Sequence, residues 1–243
     1  MKRSGIVIFG FGLALVAVFA VILAGLGSHW GWWDFRTGFT IMKWGGFGSL
    51  AAAVVSLIGS ILVRPGRSRQ GFMLGLAGLV IGFVVVCVLL QWMWTAKHVP
   101  PIHDITTDTE NPPAFVSILP LRTGAANPAE YGGPEIAAQQ HKGYPNLGPL
   151  MLDVPPDQAF RRALEAARAM GWEIVASNPA DGRIEATDTT FWFGFKDDVV
   201  VRITPAEHGS RIDVRSVSRV GRSDVGTNAK RIQKYLEKIK QLS

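Results

Sequence analysis

The sequence predicts an α-helical three-span membrane anchor followed by an α+β external domain, an antiparallel four-stranded sheet with helices packed on one face. Three observations carry this. The 243 residues are 48% hydrophobic with a mean hydropathy of +0.20, and the apolar excess is confined to residues 1–95. Eleven of the 14 prolines fall between residues 97 and 156. From Pro155 onward apolar residues recur first at helical and then at strand spacing. The expected divisions are an anchor over 1–95, a proline-rich linker or wrap over 96–154, and an α+β core over 155–243.

In the anchor, the runs Ile6 to Gly27, Trp44 to Val63 and Gly71 to Thr95 each reach the roughly 20 residues that cross a hydrocarbon core of about 30 Å as a helix. No ionisable side chain lies mid-span, so the usual mark of an ion or proton pathway is missing and a transporter is disfavoured. Gly48, Ala52, Ser56 and Ser60 recur every four residues, as do Gly71 with Gly75 and Gly78 with Gly82; such rows let helices approach closely in lipid. The single cysteine, Cys87, lies in the third run. The external domain therefore has neither a disulfide nor a thiol for catalysis.

The net charge of +6 suggests a nucleic-acid binder until it is located. Before residue 96, Lys2, Arg3, Arg36, Lys43, Arg64, Arg67 and Arg69 face one acid, Asp34, which accounts for the whole excess; beyond it 18 basic residues balance 18 acidic ones. No field remains to attract a polyanion. The positive residues instead report orientation: Lys2 and Arg3 precede the first span, and Arg64, Arg67 and Arg69 lie between the second and third. This places the N-terminus in the cytoplasm and everything after Thr95 outside, periplasmic if the membrane is the inner membrane of a cell envelope with two. Lys2-Arg3 and Gly25-Leu-Gly27 also resemble the ends of a signal peptide, but the run is long for one, and the later spans give the same orientation. Trp30, Trp32, Trp33 and Phe35, then Trp92 and Trp94, mark the outer interface twice.

The prolines of 96–154 fix φ and withhold donors, so an extended or turn-rich wrap is expected instead of regular helix or strand. Phe115, Val116, Ile118, Leu119, Leu121 and Tyr144 are apolar enough to dock it. His98, His103, His141 and His208, with Asp104, Asp108 and Glu110, match no metal-ligand spacing, and no metal or cofactor is expected.

After Pro155-Pro156, the residues Phe160, Ala163, Leu164, Ala167 and Met170 form an amphipathic helical stripe that ends at Gly171. Trp172 to Asn178 and Arg183 to Thr190 read as strands about a Pro179 to Gly182 turn, with the register open. Asp198 to Thr204 and Arg211 to Val220 read as a second hairpin centred on His208-Gly209. That centring pairs Ile203 with Val214, Val201 with Ser216 and Val199 with Ser218 on a core face, and leaves a mixed, charged face that is wet or covered by the linker. A last helix from Asn228 places Ile232, Tyr235, Leu236 and Ile239 on one stripe.

The residues Asp197-Asp-Val-Val-Val-Arg-Ile203 and Ser216-x-Ser-Arg-x-Gly-x-Ser-Asp-x-Gly-x-Asn-Ala-x-Arg231, with Tyr144-Pro145, Ala159-Phe160, Gly171-Trp172, Gly182-Arg-Ile-Glu185 and Thr189-Thr190, resemble the DUF1499 family of uncharacterised proteins. The resemblance covers residues from about 111 to 240. Some members carry a Cys-Pro-x-x-Asn-Cys-Val-Ser type segment near the domain start. Here Asn111-Pro-Pro-Ala-Phe-Val-Ser117 stands there without cysteine, so no role resting on those thiols transfers. The resemblance implies no activity.

Two candidate sites emerge. Arg215, Arg219 and Arg222, with Ser223, Asp224, Thr227 and Asn228 at a helix start, are the residue types of an anion cradle, although capping and ion pairing explain them better. Phe191, Trp192, Phe193 and Phe195 offer an apolar contact for lipid or ligand, or simply core. Catalysis is disfavoured: Ser216 and Ser218 have no evident histidine, and Asp197 and Asp198 point to opposite sheet faces. The expected function is a binding or assembly module with the lipid bilayer and an unknown envelope protein or small anionic ligand as partners, and no nucleic acid. An enzyme acting on an anionic envelope substrate is the alternative.

Overall fold

A computed structural model describes residues 2–64 and 68–242, with side chains from Gly5 onward. Arg67 and the side chains of Lys2 and Arg3, on which the expected orientation partly rests, lie outside the described residues. The chain divides into two compact units, residues 1–95 with 191–194, and residues 96–190 with 195–243.

The first unit holds α1 (Lys2–His29), α2 (Phe35–Val63) and the greater part of α3 (Arg69–His98), all long and apolar enough to cross a membrane. The second helix begins well before the expected Trp44 because Asp34 caps it: its carboxylate accepts the Arg36 and Thr37 amides at 2.7 and 3.2 Å. Arg36 and Lys43, read as loop residues, are therefore helical. The helices alternate in direction. Val21 faces Gly45 and Val7 faces Gly59 across α1 and α2, while Ser60, Ser56 and Ser49 face Gly75, Gly78 and Gly82 across α2 and α3. The small-residue rows of the sequence are thus the contact surfaces.

The second unit is built on one antiparallel sheet of six strands, not four. The additional strands, β1 (Asp104–Thr106) and β2 (Leu150–Leu152), arise within the proline-rich stretch and lie end to end along the outer edge of β6 (Gly209–Ser218). Three residues between prolines suffice for a strand when a longer strand supplies the ladder. The same stretch also forms a 3-10 turn (Leu119–Arg122) and α4 (Gly133–Gly143). The sheet continues from β6 through β5 (Lys196–Ala206) and β4 (Arg183–Thr189) to β3 (Glu173–Asn178).

The β5–β6 register differs from the expected one by two residues: Ile203 pairs with Ile212, Val201 with Val214 and Val199 with Ser216. The two-residue turn is Glu207-His208, and Gly209, at φ +94°, already belongs to the strand. There it passes so close to the Leu152 carbonyl that a Cβ would collide. A slip of two preserves the face of every side chain, so the expected core face stands. On it, Ile184, Val199, Val201, Ile212 and Val214 pack against α5 (Pro156–Ala169) and α6 (Thr227–Gln241) through Phe160, Ala163, Ile232, Tyr235 and Ile239. Tyr235 also donates to the Ala163 carbonyl at 2.8 Å, and burial pushes its hydroxyl pKa up. The opposite face is covered by residues 107–131, with Phe115 and Ile118 against Val200 and Val217.

Candidate functional site

Alternation along β6 decides where the expected cradle residues go. Ser216 and Ser218 face the helices, whereas Arg215 and, just past the strand, Arg219 face the wrap. The seven residues therefore do not converge on one ligand.

The buried charges on the wrap side are partnered. Arg215 is buried, holds Asp104 through two bonds of 2.9 and 2.7 Å, donates to the Pro113 and Ala129 carbonyls, and lies against the Phe115 and Tyr131 rings. Burial raises the pKa of Asp104 even against this pairing. Arg219 holds Asp198 through bonds of 2.9 and 2.8 Å; Asp198, fully buried, also accepts Arg122 at 2.5 Å and the Thr187 hydroxyl at 2.8 Å. Glu185, equally buried, accepts the successive amides of Val116, Ser117 and Ile118 at 2.9 to 3.1 Å. It thereby fills the amide-rich start of the 3-10 turn as a bound anion would. Arg183 Nε lies 3.0 Å from the same carboxylate but out of line for a hydrogen bond.

On the helix side Asn228 is a buried hub. Its carbonyl oxygen accepts Ser216 Oγ at 2.7 Å and Arg231 Nη1, and its amide nitrogen donates to the His103 carbonyl and to Ser218 Oγ, both at 3.0 Å. Arg231 continues the network to Asp188 at 2.7 Å and Asp197 at 2.6 Å. Burial works against its charge, but the two carboxylates prevail and its pKa is raised. Asp224 accepts the Gly226 and Asn228 amides at 2.8 and 2.9 Å, so its own carboxylate sits where the start of α6 would hold an anion. Burial raises its pKa, with those amide bonds pulling the other way. Ser223 accepts the Val225 amide, and Arg222 and Thr227 are exposed.

Asp197 and Asp198 thus serve opposite faces, Asp197 with Arg231 and Asp198 with Arg122 and Arg219, as their adjacency in a strand predicts. The expected site residues missed Asp197, Arg231, Ser216 and Ser218 on one face and Asp104, Arg122 and Glu185 on the other. The first four and Glu185 stand in the DUF1499-like motifs, which were the available signal. Chemically this is an arrangement for holding chain segments together. Ser216 Oγ is buried, donates to Asn228 and receives Arg231, and among the described residues no histidine or carboxylate hydrogen-bonds to it.

His103 approaches the Arg222 carbonyl and His141 the Thr109 hydroxyl. No three metal-ligating side chains converge among the described residues. An open groove of about 730 Å³ lies between Pro156, Phe160, Arg161 and Leu164 of α5 and the Pro179 to Gly182 turn; none of the candidate residues lines it.

The aromatic cluster divides as well. Phe191–Gly194 belong to the helical unit and Phe195 to the other. Phe193 is buried with its ring 4.9 Å from that of Phe39, Trp192 is half-buried and lies 4.8 Å from Trp92, and Phe191 is exposed.

A family model described as a protein of unknown function, DUF1499, matches residues 104–239, from the first residue of β1 into the last turn of α6. No curated protein matches the chain.

Proposed function

The chain belongs to the DUF1499 family, and we propose that it is an inner-membrane protein whose three spans hold an extracytoplasmic α+β domain that acts as a binding or assembly module for an envelope protein. Three long apolar helices support the anchor. The orientation rests on the sequence, in which Lys2 and Arg3 precede the first span and Arg64, Arg67 and Arg69 fall between the second and third, and on Trp30, Trp32, Trp92 and Trp94 at the other end of the spans. The observation that carries the module reading is the buried network of Asp197, Ser216, Ser218, Asn228 and Arg231. All five stand in the motifs that resemble DUF1499, within the matched residues 104–239, and their chemistry is spent on rigidity, which suits a scaffold that presents a surface. A protein partner fits better than a small anion because Asp224 already occupies the start of α6.

Paired C-terminal fusions to a periplasmic and a cytoplasmic reporter test the orientation; activity of the cytoplasmic reporter reverses it. Co-purification from membranes tests the module: one recurrent protein partner is expected. A bound small anion lost in Arg222→Ala, or labelling of Ser216 or Ser218 by a hydrolase probe, favours the enzyme acting on an anionic substrate instead.

A further inference from the structure

Phe191 is 84% exposed, more than any other large apolar side chain among the described residues. It sits at the tip of the β4–β5 loop, whose base is closed by two bonds, the Thr190 amide to the Phe195 carbonyl at 2.8 Å and the Phe195 amide to Thr190 Oγ1 at 2.9 Å. The loop itself packs within the helical unit. Trp192 Nε1 donates to the Ile22 carbonyl at 3.0 Å, and Ser28 Oγ donates to the Phe193 carbonyl at 3.2 Å. Two glycines make room: a Cβ at Gly25 would overlap the Trp192 indole, and one at Gly38 would lie 2.9 Å from the Phe193 ring.

Ile22 is seven residues before the end of α1, about 10 Å along its axis at 1.5 Å per residue. Trp192 therefore reaches below the helix end. The same end carries the exposed rings of Trp30, Trp32, Trp92 and Trp94, an aromatic rim of the kind that lies at headgroup depth.

We propose that Phe191–Gly194 is a membrane-interface wedge, in which Trp192 and Phe193 are seated against Gly25 and Gly38 and Phe191 inserts into the lipid at the outer rim. The occupant is lipid because the ring continues the aromatic rim of helices long enough to span a bilayer. A lone phenylalanine, by contrast, offers far less than the roughly 1,000 Å² that a stable protein interface buries. The wedge rests on the membrane-anchor reading and adds a second attachment distant in sequence from the spans.

The test uses the full chain with Cys87→Ser, carrying Phe191→Cys or, as a control, Glu207→Cys, labelled with an environment-sensitive fluorophore. The labelled chain is reconstituted in phosphatidylcholine–phosphatidylglycerol vesicles with or without brominated acyl chains. The label at 191 is expected to lose emission to brominated lipid and to be shielded from aqueous iodide, with the label at 207 behaving oppositely. Quenching at 191 by iodide alone overturns the wedge. Shielding from both quenchers overturns the lipid assignment in favour of a protein contact. Alkaline carbonate extraction of the same vesicles separates the two readings: a chain that washes off overturns the anchor and the wedge with it. A retained chain with an iodide-accessible 191 overturns the wedge alone.

Discussion

On the helix side of the sheet, Ile184, Val199, Val201, Ile212 and Val214 meet the apolar stripes of α5 and α6. On the other side, Glu185, Asp198, Asp213 and Arg215 meet a segment with little regular structure and few apolar contacts. Apolar burial is non-directional and suits elements that already present a face. A proline-rich segment presents no face, so its backbone is positioned by individual bonds. Glu185 takes three amides, Arg122 donates to the Asn127 and Pro128 carbonyls, and Arg215 to those of Pro113 and Ala129. The difference teaches that one sheet can be sealed by area on one face and by geometry on the other. The second kind of seal is more vulnerable to a single change, since a lost partner leaves a buried charge alone.

Asp198→Ala is the strongest way to break this contrast. It strands Arg122 and Arg219 and should cost about 3–5 kcal/mol, the range for removing one partner of a buried pair. Urea unfolding of the detergent-solubilised chain reads the cost, and hydrogen exchange should show residues 107–131 losing protection before α5 and α6. A uniform loss of protection would mean that the two covers open together. Asn228→Ala attacks the polar hub on the otherwise apolar side and should cost about 1–3 kcal/mol through the unsatisfied groups it leaves. Exchange should then rise first at the start of α6.

At the rim, Asp108 bridges Arg202 and Arg211 at 3.0 and 2.9 Å with partial exposure. Asp108→Ala should therefore cost less than about 1 kcal/mol, and salt should shrink the difference. The last effect is alkaline. Tyr131 on the wrap side and Tyr144 on the helix side have buried hydroxyls without hydrogen-bond partners, and burial pushes each up from 10.0 to about 12. Above pH 10.0 the unfolded chain loses these protons first, so the stability they contribute is intact below that pH and lost as pH rises through about 12. Tyr131→Phe and Tyr144→Phe should each flatten the alkaline decline in unfolding midpoint. If the wrap opens first, only Tyr144→Phe will.

Much of the second unit was legible in local pattern. The stripe from Phe160 to Met170, the hairpin about Pro179 to Gly182 and the alternation in β5 and β6 are properties of short windows. A two-residue error in register left every face correct because strand periodicity is two. What resisted reading depends on distant partners. Asp104–Thr106 and Leu150–Leu152 are too short to show any period and become strands only because β6 lies beside them. For the candidate site, Asp198 is the acid beside Arg219, which adjacency across the hairpin suggests. Arg215, however, pairs with Asp104 across 111 residues, a partnership that no local window contains. The polar turn before α6 drew notice for its residue types, but the use of those residues depended on which face each side chain took.

The position of β6 sets an order of events during synthesis. It is the last of the six strands yet lies inside the sheet, with β5 on one side and β1 and β2 on the other. Until Ser218 has left the ribosome, β5 has an open edge and the two short strands have nothing to pair with. The slow closure of contacts more than 100 residues apart therefore waits until β6 has been made. A chain released before Gly209 will therefore present an unpaired edge of Val199, Val200 and Val201, the kind of surface that recruits other chains and is cleared by quality-control proteases.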